Sequence, residues 1–272
     1  MLPVMLQLYN VRDELKTDFD GTLEQVAGIG YRYVELALAM AFGKTAAETR
    51  ASLDRVGLSA ISAHVPYGDM IVDTDRVIGY HLEVGCRYIV IPFLGEEDRY
   101  PGSNYANVKK GIARLGEYCN KKGATLLYHN HEFEFTDCNG KYALDDLYDS
   151  IPAGLLQTEI DVCWAKVGGV VPADYILKYS GRAPVVHLKD FDSSRGGQVK
   201  ADYDLIGEAK KARAAGAFPF RAVGHGVQDI PAIVKAAEKA GTAWLVVEQD
   251  LPSPGLTPIE CAKQSLDYLN SL

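Results

Sequence analysis

The chain has 272 residues, 47% hydrophobic and 24% charged, and its 28 Lys and Arg against 36 Asp and Glu give a net charge of −8. A chain of this size buries roughly 70–75% of its unfolded surface, so it needs no disulfide or metal staple, and its acidic balance disfavours nucleic acid and anionic lipid as partners. No apolar run approaches the roughly 18 residues of a membrane span, and residues 1–12 lack the basic and long apolar segments of a secretory leader, so a soluble cytoplasmic protein is expected.

Eight short apolar runs rich in β-formers follow one another, at 4–8, 33–36, 59–64, 88–92, 125–130, 156–161, 184–188 and 244–248. Amphipathic helical stretches separate them. Residues 106–122 place Val108, Ile112, Leu115 and Cys119 on one face, and 229–240 opens with Asp229 as a cap ahead of Pro231. A weak repeat, Gly30-Tyr-Arg-Tyr-Val, Gly85-Cys-Arg-Tyr-Ile and Gly241-Thr-Ala-Trp-Leu, joins helix ends to strands, with glycine at the left-handed position that stops a helix. Alternating strands and helices predict a parallel α/β sheet. Eight units averaging about 34 residues predict one closed (β/α)8 TIM barrel, a single domain over 1–272. The competing open, doubly wound sheet lacks its glycine-rich phosphate loop, because Tyr9-Asn-Val-Arg-Asp13 follows the first strand. The longest irregular stretches, 95–105 and 190–207, both follow strands, where barrels carry substrate loops. Five dispersed cysteines without a CxxC pair predict buried free thiols.

A barrel concentrates function at the C-terminal ends of its strands. Here those ends carry His64, then Tyr128-His-Asn-His-Glu-Phe-Glu134, Glu159-Ile-Asp161, His187-Leu-Lys189-Asp190 and Glu248-Gln-Asp250. Four of the six histidines lie in such positions, with His81 and His225 the exceptions. Asp161, His187 and Glu248 would converge two carboxylates and an imidazole, a shell suited to one divalent ion, Mn, Mg, Co or Zn, with open positions for substrate. Lys189 shares parity with His187 and should point inward, where an ammonium can stabilise an enolate or pair with a neighbouring carboxylate. His131 is a candidate acid or base, and His64 a candidate for binding substrate hydroxyls.

The segments Leu6-Gln-Leu-Tyr-Asn-Val-Arg12, Gly30-Tyr-Arg-Tyr-Val-Glu35, Tyr128-His-Asn-His-Glu-Phe-Glu134, Glu159-Ile-Asp-Val-Cys-Trp164, His187-Leu-Lys-Asp190 and Val247-Glu-Gln-Asp250 resemble the sugar phosphate isomerase/epimerase family. That family has the xylose isomerase-like barrel, shared with ketose 3-epimerases, inosose dehydratases and apurinic endonucleases. The resemblance implies one divalent metal held by four residues and carries over Asp161, His187 and Glu248. It places the fourth ligand on the fifth strand, near Leu127 or Tyr128, neither a usual donor. Regular alternation puts Tyr128, Asn130, Glu132 and Glu134 on one face and His129 and His131 on the other. Glu134 is therefore the first replacement, before Glu159, Glu132 or a three-ligand site. Trp164 stands where the epimerases have a substrate-binding histidine, and Asn130 joins it and His64 as a substrate contact. The turn Gly224-His-Gly-Val-Gln-Asp229 departs from the family at His225 and reads as structural.

The implied activity is metal-dependent isomerisation or epimerisation of a keto-sugar or related polyol through a metal-stabilised enediolate. Glu248 serves as base, with Glu134, His131 or Lys189 as its partner. Loss of a β-hydroxyl from the same enolate would make the protein a lyase of the inosose dehydratase type, and a non-catalytic sugar-binding barrel is the further alternative. Apurinic endonucleases use more histidines for several zinc ions, and six histidines with a −8 charge argue against that branch. No cluster of Lys and Arg marks a substrate phosphate. Barrels of this kind pair through exposed helices or loops, which makes a homodimer the expectation for assembly.

Overall fold

The computed structural model describes residues 2–192 and 219–272, so the expected loop at 190–207 lies outside the described residues beyond Asp192. Eight parallel strands close into a barrel: β1 (Val4–Gln7), β2 (Tyr33–Ala37), β3 (Ser59–His64), β4 (Tyr88–Ile91), β5 (Thr125–His129), β6 (Gln157–Asp161), β7 (Val185–Leu188) and β8 (Trp244–Val247). Each pairs with its sequence neighbour, and β8 returns to β1 through Val4 opposite Leu245. The eight apolar runs of the sequence are these eight strands.

Helices cover the outside. In Tyr105–Lys121 the four residues placed on one face, Val108, Ile112, Leu115 and Cys119, are all buried. Ile230–Ala240 is capped by the Asp229 side chain, which accepts from the Ala232 N–H. Gly85 and Gly241 follow their helices at φ 127° and 80°, a region that side chains rarely enter. All five cysteines are buried with free thiols. No helix among the described residues is long and apolar enough to cross a membrane.

Alternation along the strands divides the core in two. One set, including Leu6, Val34, Leu126, Ile160 and Val186, packs outward against the helices. The other, Met5, Val90, Leu127, Val185 and Val246, fills the barrel and forms an apolar plug over Tyr33, Tyr88 and Trp244. Further along six of the eight strands the inward positions turn polar: Gln7, Glu35, His64, His129, Glu159 and His187. The plug thus floors a polar chamber at the C-terminal end.

Close packing of the Tyr105–Lys121 helix on the turn before β6 depends on Gly116, whose added Cβ would lie 2.1 Å from the Leu155 carbonyl oxygen. Gly116→Ala is expected to lower stability by about 1–3 kcal/mol, because the backbone clash outweighs alanine's helix preference of ~1 kcal/mol. Urea unfolding measures it, and an unchanged midpoint would refute the close approach.

Candidate active site

Four side chains converge at the chamber's upper level: His129 from β5, Asp161 from β6, His187 from β7 and Glu248 just past β8. One ligand atom of each lies within 4.8 Å of the others, and all four residues are buried. The order of strands makes this meeting obligatory, since β5 to β8 are neighbours and Asp161 pairs in register with His187. Asp161 divides its carboxylate. Oδ1 caps the next helix by accepting from the Cys163 and Trp164 N–H groups at 2.8 and 2.9 Å. Oδ2 is buried without a hydrogen-bond partner, 3.8 Å from His129 Nε2 and 3.3 Å from Lys189 Nζ.

Lys189 enters the same cluster from β7's end. Its ammonium lies 2.9 Å from Glu248 Oε2 and 3.2 Å from Asp250 Oδ2. Asp250 is held in turn by the first strand's loop: Arg12 donates to its backbone carbonyl at 2.9 Å and stacks on Tyr9, while the Gln249 N–H donates to Asn10 Oδ1. Burial pushes the Asp161 carboxyl up to about 6. At Glu248, burial is outweighed by Lys189 and His187, which hold the carboxylate well below its usual range. Lys189 overcomes its own burial through Asp250, Glu248 and Asp161 and stays charged. Burial pushes His129 down to about 3, which leaves a neutral imidazole with a lone pair.

A lower level lies directly beneath. Glu159 Oε1 is 2.7 Å from His64 Nε2, 2.9 Å from His187 Nε2 and 3.2 Å from His129 Nδ1. Glu35 Oε1 lies 2.6 Å from His187 Nε2 and accepts from Gln7, while its Oε2 accepts from Ser62. His64, His129, Glu159 and His187 form a second group of converging ligand atoms.

Three expectations change here. Glu134 is not in the cluster. Strand β5 ends at His129 and the chain turns into a 3-10 helix at Glu132–Phe135, so alternation cannot be extended that far. Tyr128 faces the helical layer, and Glu134 follows it outside the barrel, accepting from the Tyr128 hydroxyl at 2.5 Å and the His131 N–H at 2.6 Å. Neither Glu134 nor Glu132 joins either ligand group among the described residues. Asn130, expected as a substrate contact, has its amide donating to the Asp161 carbonyl and accepting from the Asp161 N–H, which clamps β5 to β6. His64 turns Nε2 down toward Glu159 and Glu35 and belongs to the lower level. His129, missed by the sequence reading, takes the fifth-strand position. The strand's own sequence carries no signal for it, because Leu126 and Leu127 are both apolar and only the structure shows that Leu127 is the one facing inward.

Other expected residues keep their places. His131 sits 5.3 Å from His129 by ring centroids, sandwiched between Phe133 and Trp164, with Nδ1 buried and unpartnered. Burial and the neighbouring His129 hold it well below the usual histidine range. Trp164 packs with Phe191 and Phe220 into an aromatic wall above Lys189. The 224–229 turn is structural: Asp190 accepts from the N–H groups of Gly224, Gly226 and Gln228 at 3.0–3.1 Å, and a Cβ at Gly226 would collide with that carboxylate.

The model of the xylose isomerase-like TIM barrel family matches residues 23–272. The chain belongs to this family. Within it, the chain is similar to inosose dehydratases, 22% identical over 182 residues to that of Mesomycoplasma hyopneumoniae strain 7448, and 27% over 160 residues to that of Clostridium botulinum strain Alaska E43. Those matches cover 66% and 58% of this chain but only 59% and 51% of the dehydratases. A sugar phosphate isomerase/epimerase from Parabacteroides distasonis superposes with TM-score 0.72 at 22% identity, covering 100% of this chain and 94% of that one. A probable 3-DHS dehydratase from Bacillus anthracis superposes with TM-score 0.70 at 13% identity over 99% of both chains. These likenesses establish the xylose isomerase-like fold.

Glu134 carries a consequence for stability. Burial pushes its carboxyl up to about 8, against the pull of Tyr128 and His131. From about pH 4.5 to 8 the folded state retains a proton that the unfolded chain has released, so stability falls as pH rises, by up to ~1.4 kcal/mol per unit. Glu134→Gln is therefore expected to gain stability relative to the native chain progressively across that window. Denaturant midpoints measured from pH 5 to 9 check this, and a constant offset between the two proteins would contradict it.

Proposed function

We propose that the protein is a divalent-metal-dependent isomerase or epimerase acting on a neutral keto-sugar or related polyol. The observation that carries this reading is the convergence of His129, Asp161, His187 and Glu248 beside the Lys189 ammonium. The residues fit a metal by the chemistry of their donors, two imidazoles and two carboxylates, and by the buried Asp161 Oδ2, which lacks a hydrogen-bond partner. A divalent ion bound by these four would act as a Lewis acid, polarising a substrate carbonyl and acidifying the adjacent C–H.

The chain's own groups supply the rest. Glu248, held ionised, is the base beside the reacting carbon, and Lys189, held charged, offers its ammonium to the developing enolate oxygen. His131, kept neutral and unpartnered at Nδ1 beside His129, is the candidate second group for proton transfer. Trp164 supplies an apolar wall for the sugar ring. Asp161, Glu248 and Asp250 face Lys189, so the chamber favours an uncharged substrate over a phosphorylated one. A cytoplasmic setting agrees with five free thiols, and a homodimer remains the assembly expected for the barrel type. Dehydration is the second reading, supported by the inosose dehydratases to which the chain is similar.

Incubation of the Mn²⁺-loaded protein with neutral ketoses and inososes in D₂O tests the proposal by NMR. Deuterium is expected at one carbon next to a carbonyl, with water retained, and Lys189→Met should slow uptake about 10²–10³-fold. Loss of water from the labelled product would replace the proposal by the dehydratase reading, and hydrolysis without exchange would refute both. Calorimetric titration with Mn²⁺ separates ligands from bystanders: Asp161→Asn should weaken binding at least about tenfold, while Glu134→Gln should leave it unchanged. The reverse pattern would restore Glu134 to the site.

A further inference from the structure

Two of the four converging residues lie where the sheet stops. His129 and His187 stand within the barrel ladder, His129 opposite Glu159 and His187 between Asp161 and Val246. Asp161 is the last residue of β6, and Glu248 lies one residue beyond β8. On the side of Asp161 that faces β5, the ladder has already ended at His129. On the side of the Glu248 segment that faces β1, it has ended because that chain turns into a 3-10 helix at Leu8–Val11. The residues at both places are buried, so their backbone groups need partners that no strand provides.

Side chains supply them. The Asp161 N–H donates to Asn130 Oδ1 at 3.0 Å, and Asn130 Nδ2 donates to the Asp161 carbonyl at 3.2 Å, so one amide makes both of the bonds that a strand would make. The orientation of that amide is forced, since an N–H calls for its oxygen and a carbonyl for its NH2 group. Beyond β8, the Glu248 N–H still reaches the Leu188 carbonyl of β7 at 3.1 Å. On the β1 side, the Gln249 N–H donates to Asn10 Oδ1 at 2.9 Å, and Arg12 Nη1 donates to the Asp250 carbonyl at 2.9 Å. Asn10, Arg12 and Asn130 are all buried.

We propose that Asn130 and Asn10 are positioning residues that continue the sheet past its end and thereby fix the direction of Asp161 and Glu248. This rests on the metal reading of the site. At Asp161 the backbone is held by Asn130 and Oδ1 by the Cys163 and Trp164 N–H groups, so the carboxylate cannot turn without losing these bonds, and Oδ2 is left as the oxygen without a hydrogen-bond partner. At Glu248 the segment is held from both sides, by Leu188 and by Asn10. A carboxylate oxygen that is to receive a cation cannot be steadied by bonds to itself, and the hold has to come through the backbone. An amide gives that hold without adding charge to a chamber that already contains several carboxylates. Asn130 directly follows His129, so one turn of chain places the first ligand and aims the second.

Calorimetric titration with Mn²⁺ and the visible absorption of the Co²⁺-loaded protein test the proposal. Leucine is close to asparagine in shape and has no hydrogen-bonding group, so Asn130→Leu and Asn10→Leu are each expected to weaken Mn²⁺ binding about 10–100-fold and to shift the Co²⁺ bands, which follow the arrangement of the ligands. Asn130→Ala, which leaves room for water in place of the amide, takes over the measurement where leucine prevents folding, as judged by urea unfolding of the metal-free proteins. Gly116→Ala, which disturbs only the packing of the helical layer, is the control, and it is expected to keep native affinity and native bands at a lowered urea midpoint. Native affinity and bands in either asparagine variant would overturn the positioning role while leaving the metal reading intact, and so would an equal weakening in Gly116→Ala, which would trace the loss to stability alone. Failure of the native protein to take up either ion would overturn both.

Discussion

Charge buried inside a closed barrel is the constraint on which the rest of this molecule depends. Glu35, Glu159, Asp161, Glu248 and Asp250 all lie in the interior, and each is matched by an imidazole or by the Lys189 ammonium. Such networks are weak contributors to stability, since desolvating the charges offsets most of their attraction, yet removing one member strands the others at a cost of about 3–5 kcal/mol. The fold's stability must therefore come from elsewhere. It comes from the apolar plug of Met5, Val90, Leu127, Val185 and Val246 beneath the chamber and from the strand-to-helix layer outside it. A network that is costly to bury and contributes little to stability is what a site requires when its groups must hold defined charges before substrate arrives.

The barrel converts position along the strand into chemistry. Going up from the plug, the first polar level is occupied by groups that bond to one another, Gln7, Glu35, Ser62 and Glu159 among them. The next level exposes groups with unsatisfied capacity, above all Asp161 Oδ2 and His131 Nδ1. Loops beyond the strands then hold the upper level in place. Arg12 and Asn10 fix the segment after β8, and Asp190 gathers the 224–229 turn beneath the aromatic wall.

Much of this was legible in the sequence. All eight strands appear as short apolar runs, and Asp161, His187, Glu248 and Lys189 are found together at their ends because the barrel rule and strand parity are strong constraints. The fifth strand shows where such reading stops. The inward or outward direction of Tyr128 is not visible in one sequence, because a buried tyrosine suits either side of a sheet. Tyr128 faces outward, where Tyr148 donates to its carbonyl, and this reverses the roles of His129 and Glu134. Leu126 and Leu127 give no help, since both are core, one against the helices and the other inside the barrel. Glu35 was hidden for another reason: a lone carboxylate inside Tyr33-Val-Glu-Leu-Ala37 acquires meaning only when His187, 152 positions away, is brought against it.

Proteins sharing this barrel bear the names of isomerases, epimerases and dehydratases, which is intelligible if the shared interior makes one enolate and the groups above it decide where the second proton goes. Expulsion of a hydroxyl needs a donor that is already protonated when substrate binds. Among the described residues of the upper level, His131 is held neutral and Glu248 ionised. Lys189 is protonated, but three carboxylates raise its hold on that proton and make it a stabiliser of negative charge more than a source of protons. His187, held protonated by Glu159 and Glu35, is the other proton carrier at this level, so the outcome turns on which of these groups reaches the leaving oxygen. Isomerisation and dehydration therefore part at the placement of a few protons, on Lys189, His131 and His187, and not at the donor set as a whole.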